Sequence, residues 1–309
     1  MEKKLVTSIG GLGNQMFCYA FYKKLSKEYP QILFCMDISD IWDKRFERGA
    51  EFLRAFPNIQ INKASYEEIL EAEGKYTFTY RGKGSRYLRK LVDFINQYTM
   101  ASKRKYCITE EKFKMKQCKI TGEEWKEIRY FDGFWQDMEF YLPYIEELQR
   151  DFEYAEIEDA ENKRLVSRIQ NTYSVAVHVR RGDYVGEVLD ILDTEYYSEI
   201  ICKILKKEPQ STFFFFSNDS EYVKKEYYWL QNKVIVENNT GVNSFRDMQL
   251  MSMCKENIIA NSTFSIWAGI LNQNPKRIVY YPDYFAVGSK MKDINLPGFI
   301  KCEVKNQDA

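Results

Sequence analysis

From residue 174 to residue 281 the sequence swings repeatedly between short unbroken apolar runs and longer amphipathic stretches, a rhythm that leaves few folds open. The runs are SVAVHV (174–179), TFFFF (212–216), VIV (234–236), NIIA (257–260) and IVYY (278–281). Between them, 195–207, 220–230, 244–254 and 264–271 carry apolar residues at helical spacing. A strand apolar at every position is buried on both faces. Such strands alternating with helices build a parallel sheet covered on both sides. Ligands of these sheets bind beyond the carboxyl ends of the strands. That rule marks four segments as candidate site: 178–183, 217–219, 238–240 and 261–263.

The N-terminal half begins in the same way. Residues 5–9 read as a strand, GGLGN (10–14) as a loop, 15–29 as a helix with a stripe of Phe17, Phe21 and Leu25, and 32–36 as the next strand. The stretch 47–122 reads as mostly helix. The expected fold class is α/β, with two Rossmann-like domains facing across a cleft, 1–155 and 156–309. The boundary is expected in an acidic stretch, 137–161, which holds 10 acidic residues and 1 basic and reads as a helical linker region beginning near Pro143.

Charge and residue counts exclude several function classes. Lys and Arg number 45, Asp and Glu 45, so the net charge is zero and no nucleic-acid partner is expected. A single histidine excludes a His-rich zinc site and any mechanism needing two imidazoles. Seven cysteines without a C-x-x-C read as free thiols in a reducing compartment. No apolar run approaches the ~18 residues of a membrane span. The N-terminus starts basic, but Gly10, Gly11, Gly13, Asn14 and Gln15 interrupt the apolar stretch a signal peptide needs, so a cytoplasmic location is expected. The stretch 81–119 carries 12 basic and 3 acidic residues. It reads either as a solvated surface, one that could face the acidic stretch, or as a peripheral contact with the anionic inner face of a membrane.

The loop 10–15 fails the dinucleotide pattern, because Met16 stands where the third glycine belongs, and no G-K-[ST] exists for a P-loop. It is a plain tight turn or a place where a ligand approaches the backbone. The segment 178–184, HVRRGDY, is sharper. Adjacent arginines at a strand's carboxyl end are costly unless they meet anions, and a guanidinium fork binds phosphate bidentately. Asp183 can orient one arginine, and a structural ion-pair cluster is the alternative. His178 is a core histidine or a site residue. Asn261-Ser262-Thr263 opens a helix, where hydroxyls and backbone N–H groups suit a phosphate or simply cap. Asp219 either accepts from a ribose or base or caps the following helix. N-D-S at 218–220 is not a metal-binding D-x-D, so no metal is expected.

Together these segments resemble the α-1,2-fucosyltransferases of glycosyltransferase family eleven, the bacterial galactoside 2-α-L-fucosyltransferases. The likeness rests on SIGGLGNQMFCYAF near the start, FDGFWQDMEFY at 131–141, HVRRGDY at 178–184, FFFFSND at 213–219 and DMQLMSMCKENIIANSTFSIWAGILN at 247–272. It implies a GT-B fold, a GDP-L-fucose donor, no metal or other cofactor, and inverting transfer to the 2-hydroxyl of a galactose-terminated glycan. It further implies that Arg180 meets the β-phosphate, with Arg181 and Asp219 also on the donor side. Asp247 reads guanine, Ser262 and Thr263 hold the diphosphate, and His178 lies near the nucleoside. Asn14, Gln15, Trp135 and Gln136 line the acceptor side, although core packing explains the aromatic segment around Trp135 equally well. His178 and Asp183 are the candidates for general base. Asn218 departs from the family pattern, standing where many members carry Asp.

Overall fold

The computed structural model describes residues 4–8, 10–35, 49–65, 68, 107–109 and 128–305. The chain divides into two compact units, Met1–Phe52 with Ile59–Gln136, and Leu53–Asn58 with Asp137–Ala309. The basic stretch 81–119 and most of the expected helical region 47–122 lie outside the described residues.

The first unit holds a parallel sheet of four short strands, β1 (Leu5–Thr7), β2 (Leu33–Cys35), β3 (Cys107–Thr109) and β4 (Tyr130–Asp132), in the order β2-β1-β4-β3. Helix α1 (Leu12–Ser26) follows β1 and buries Met16, Phe17, Phe21 and Leu25. It begins three residues earlier than its sequence suggests. Gly11 sits at its N-cap, and Gly10 turns the chain into it with φ of 82°. A Cβ at Gly10 would stand 2.6 Å from Asn14 Nδ2, so the turn needs glycine on two counts. After it a short helix, α2 (Gly49–Ala55), precedes β3 in the chain.

The second unit opens with α3 (Ile145–Asp151) and α4 (Ala160–Gln170) and then builds six parallel strands. These are β5 (Ser174–Val179), β6 (Thr212–Ser217), β7 (Lys233–Val236), β8 (Glu256–Ile258), β9 (Ile278–Pro282) and, after a small hairpin of β10 (Tyr284–Ala286) and β11 (Ser289–Lys290), β12 (Phe299–Cys302). The order β12-β9-β8-β5-β6-β7 is the Rossmann order 3-2-1-4-5-6 read from the far edge. The crossover helices are α5 (Thr194–Lys207), α6 (Ser220–Glu226), α7 (Phe245–Ser252) and α8 (Thr263–Leu271). Asp159, Asp193 and Asp219 cap α4, α5 and α6 through backbone N–H groups three residues on. Phe213 to Phe216 are all buried, as a strand covered on both faces requires. Each such phenylalanine contributes about 1.5–3 kcal/mol of burial.

The acidic stretch is not a linker. Its helix α3 belongs to the second unit, where Gln149 Nε2 donates to Ile270 O at 2.8 Å and Phe152 meets Trp267 edge-on with centroids 5.1 Å apart. Residues 53–58 join it there: Phe56 packs on Phe152, and Ala155 N donates to Ala55 O at 2.9 Å. The units therefore change at Gln136 and Asp137, not at 155. Acidic side chains here solvate the outer face of a packed segment. Among the described residues no helix is long and apolar enough to cross a membrane.

Candidate functional site

From β5 the chain steps outward to β6 and β7, then returns to the other side of β5 as β8. Strand order reverses between β5 and β8, and that is where a Rossmann sheet opens its crevice. The loop after β5 carries Arg180 to Tyr184, and the loop after β8 carries Asn261 and Ser262 into α8.

The two arginines do different work. Arg181 is held from several sides. Its Nε lies 3.4 Å from Asp219 Oδ2, its guanidinium 3.9 Å above the Tyr222 ring, and its backbone N–H donates to Asn218 Oδ1 at 2.9 Å. Arg180 pairs with Asp183 (Nη2 to Oδ1, 2.6 Å) and sits 5.4 Å from the Tyr184 ring centre. Its Nε is buried without a hydrogen-bond partner among the described residues. An Arg N–H in that state is a donor available to an anion. Between the arginines and Asp183, Gly182 has φ of 29°, and a Cβ there would collide with the Asn218 amide. Asn218 thus supplies the acceptor that shapes this turn, a task an amide performs as well as a carboxylate. Asp219 both pairs with Arg181 and caps α6, accepting from Tyr222 N at 3.0 Å.

His178 is buried in β5, with its ring 5.6 Å from that of Phe264. Burial and, second, the charge of Arg180 pull its pKa down to about 3. An imidazole so depressed stays neutral and accepts protons weakly, which counts against a general-base role. Across the crevice, Ser262 occupies the N-cap position of α8 but makes no side-chain capping bond, and Thr263 is the first helical residue. The helix therefore presents backbone N–H groups at the positive end of its dipole. Tyr184, whose phenol burial raises, hydrogen-bonds Ser262 through its side chain and lies 3.5 Å from Asn261 O. Asn261 donates to Leu189 O (3.0 Å) and Phe285 O (2.8 Å), stapling the loop after β5 to β10. Two guanidiniums on one side and a helix start on the other can hold a diphosphate.

Asp247 lies apart from this cluster, in the first turn of α7 after β7. Its Oδ1 accepts from Asn239 Nδ2 at 2.8 Å. Asn239 in turn exchanges bonds with Asn162 (2.8 and 3.0 Å), and Asn162 is fixed by the α4 cap Asp159. A buried amide network thus sets the direction of the Asp247 carboxylate, an arrangement not anticipated from sequence.

In the first unit the order reverses between β1 and β4, so the equivalent position is flanked by the loops 8–11 and 133–136. Gln136 Nε2 donates to Asn14 Oδ1 at 2.9 Å and ties its loop to the first turn of α1, while Gln15, expected on the acceptor side, is fully buried and donates to Gly10 O at 3.0 Å, so it braces the turn instead. Trp135 is buried, and its ring lies flat on Phe21 with centroids 3.8 Å apart, so its side chain belongs to the core. Phe134, 40% exposed, is the aromatic this loop turns outward. One residue escaped sequence reading. Asp132, the last residue of β4, is half-buried with Thr7 Oγ1 at 3.5 Å from its Oδ1, and burial raises its carboxyl above the usual carboxylate range. Its signal was an acid closing a short apolar run inside FDGFWQ. Among the described residues, no group of three or more His, Cys, Asp or Glu is placed to hold a metal ion.

Comparison with known proteins agrees with this layout. The family model described as Glycosyl transferase family 11 matches residues 89–299. An alpha-1,2-colitosyltransferase of Escherichia coli is 31% identical over 287 residues, 88% of this chain and 89% of its own length. The Escherichia coli O-antigen biosynthesis glycosyltransferase WbnK is 26% identical over 302 residues, 94% and 97% of the two chains. The solved fucosyltransferase NodZ from Bradyrhizobium superposes with a TM-score of 0.51 at 16% identity, covering 88% of this chain and 94% of its own. At that identity the likeness shows the fold, which is of the GT-B class with two Rossmann-like units, as the sequence led us to expect. A parallel Rossmann sheet with paired arginines at its switch point, a family model covering most of the chain and a relative at 31% identity lead to one conclusion: this chain is a glycosyltransferase and belongs to glycosyl transferase family 11.

Proposed function

We propose that the chain transfers L-fucose from GDP-β-L-fucose to the 2-hydroxyl of a terminal galactoside, forming an α-1,2 linkage with inversion at C1 and without a metal ion, in the synthesis of a surface glycan or oligosaccharide. The observation that carries this reading is the pairing of Arg180, with its buried unpartnered Nε, and the α8 N-terminus on either side of the β5/β8 switch point.

Transfer from a nucleotide sugar passes through an oxocarbenium-like state, and negative charge grows on the departing diphosphate. In this proposal Arg180 meets the β-phosphate, and Arg181 adds a second positive charge. Ser262, Thr263 and the first N–H groups of α8 hold the remaining oxygens. Donors already fixed in place stabilise developing charge without reorganising, which is what a leaving group needs where no metal assists. Asp183 orients Arg180 through their ion pair. Asp247 accepts from the N–H groups of guanine, aimed by Asn239, and His178 stands near the nucleoside as a neutral wall. The acceptor galactoside binds the first unit against Asn14 and Gln136. NodZ α-1,6-fucosyltransferase co-crystallises with GDP, which supports a guanine nucleotide as the carrier.

A second reading concerns only the sugar. The 31% identical relative is named for α-1,2 transfer of colitose, which is fucose lacking its 3-hydroxyl. The same diphosphate and regiochemistry would serve either donor. The test is GDP release with lactose as acceptor, measured separately for GDP-fucose and GDP-colitose. A higher kcat/KM for GDP-fucose supports the primary reading. Preference for GDP-colitose transfers the assignment to that sugar, and no acceptor-stimulated GDP release from either overturns both.

A further inference from the structure

Beyond the carboxyl end of β7, on the side of the sheet that carries the loops of Arg180 and Ser262, a chain of polar side chains runs from α4 to α7. All of its members belong to the second unit. Asn162, in the first turn of α4, and Asn239, after β7, are buried and form a reciprocal amide pair. Asn162 Nδ2 donates to Asn239 Oδ1 at 2.8 Å, and Asn239 Nδ2 donates to Asn162 Oδ1 at 3.0 Å. Each amide sends its second N–H to a carboxylate, Asn162 to Asp159 Oδ2 at 3.0 Å and Asn239 to Asp247 Oδ1 at 2.8 Å. Asn238 Nδ2 donates to both amide oxygens, at 3.0 and 3.2 Å. An ionised carboxylate only accepts. Turning either amide over would set its carbonyl oxygen against a carboxylate, so both orientations are locked. A buried network satisfied throughout is rigid. The cap of α4 requires only Asp159 and the backbone N–H of Asn162, 2.8 Å apart. The amide pair extends beyond that need, and its far end is Asp247.

We infer that Asn239 and Asn162 are positioning residues that set the base specificity of the nucleotide site, by holding the Asp247 carboxylate against rotation. This rests on the reading above, in which Asp247 accepts from the N–H groups of guanine. Guanine presents N1–H and the N2 amine side by side, and a carboxylate meets both only when its plane is turned to the base edge. Adenine carries an acceptor at N1 and no amine at C2, so it gains nothing from that pose. A carboxylate left to rotate keeps its charge, which any nucleotide feels alike, but must be frozen anew each time guanine binds. With the amide pair in place that ordering is complete before the ligand arrives, and the advantage goes to guanine alone.

The experiment measures GDP and ADP binding by calorimetry to wild type, Asn239→Ala, Asn162→Ala, Asp247→Ala and the double variant Asn239→Ala/Asp247→Ala, with thermal unfolding on the same samples. Asn239→Ala should weaken GDP binding by about fivefold or more, the scale of coupling within one hydrogen-bond network, and leave ADP binding within about twofold of wild type. The preference for GDP over ADP should fall accordingly. Asn162→Ala, one residue further from the carboxylate, should show a smaller loss in the same direction, and it carries the test if Asn239→Ala does not fold. Because both amides act through Asp247, removing Asn239 from the Asp247→Ala protein should change GDP affinity no further. A network that only supports the fold would weaken both nucleotides equally and add its loss to that of Asp247→Ala. Four results overturn the inference: GDP affinity of the folded amide variants equal to wild type, equal losses for GDP and ADP, additive losses in the double variant, or failure of both amide variants to fold. Asp247→Ala with undiminished GDP affinity sinks the guanine reading and the inference together, whereas a weakened Asp247→Ala beside undiminished amide variants sinks the inference alone.

Discussion

Removing Arg180 separates stability from catalysis, and the structure sets the size of each effect. The side chain is 27% exposed and its partner Asp183 60% exposed. A pair this open is screened by water and worth at most about 1 kcal/mol to the fold. Asp183 can rehydrate when the guanidinium is gone, so Arg180→Ala should unfold close to the wild-type temperature. Catalysis differs, because the proposed role places a full positive charge beside the departing β-phosphate. Two unit charges about 4 Å apart interact by about 4 kcal/mol at an effective dielectric near 20. One preorganised donor to a developing anion is worth about 10²–10³ in kcat. Arg180→Ala should therefore lose at least 10² in kcat, not merely gain KM for GDP-fucose, since ground-state binding alone would spare kcat. Arg180→Lys should recover part of the loss, keeping the charge but not the planar fork. Steady-state kinetics on both variants, with unfolding curves beside them, decide the matter. A folded Arg180→Ala enzyme with kcat within about threefold of wild type, a barrier change of ~0.65 kcal/mol, would refute the role.

Three further outcomes are expected. Asp247→Ala should weaken GDP binding by roughly 1.5–3 kcal/mol, the scale of hydrogen bonds to a charged group, and reduce discrimination against ADP; unchanged affinity in a folded variant removes Asp247 from the guanine site. Because His178 is depressed to about 3, the unfolded chain takes up a proton below pH ~6.5 that the folded chain refuses, so its contribution is intact above that pH and lost as pH falls. Denaturant titration should show wild type losing about 2 kcal/mol more than His178→Gln between pH 8 and pH 5, and parallel curves would contradict this. Excess EDTA should leave transfer nearly unchanged; a loss above tenfold restored by manganese or magnesium would overturn the metal-free proposal.

The parts of this fold legible from sequence are those where every side chain must be buried. SVAVHV, TFFFF and NIIA announce strands of a covered sheet, and the loops after the first and the last of these carry RRGDY and N-S-T to the switch point. Edge elements leave no such mark. In β12 Ile300 and Lys301 are exposed, and the β10–β11 hairpin is short and open, so neither reads as apolar. The start of α1 was hidden because Gly10 and Gly11 shape its entry by backbone conformation, without a capping side chain. Trp135 and Asp132 show the limit most clearly. Three residues apart in one motif, one turns into the core against Phe21 and the other stands at a strand end. A three-residue strand is too short for alternation to tell them apart. Nor could spacing disclose that Asn218, which breaks the family pattern, accepts from the Arg181 backbone.

The central claim is the bond that is made. Wild-type protein incubated with GDP-fucose and lactose should yield one trisaccharide, and two-dimensional NMR of that product reads both the attachment site and the anomeric form. The account predicts α-linked fucose on the 2-hydroxyl of galactose. Fucose on glucose, at another galactose hydroxyl, or in a β linkage would contradict it.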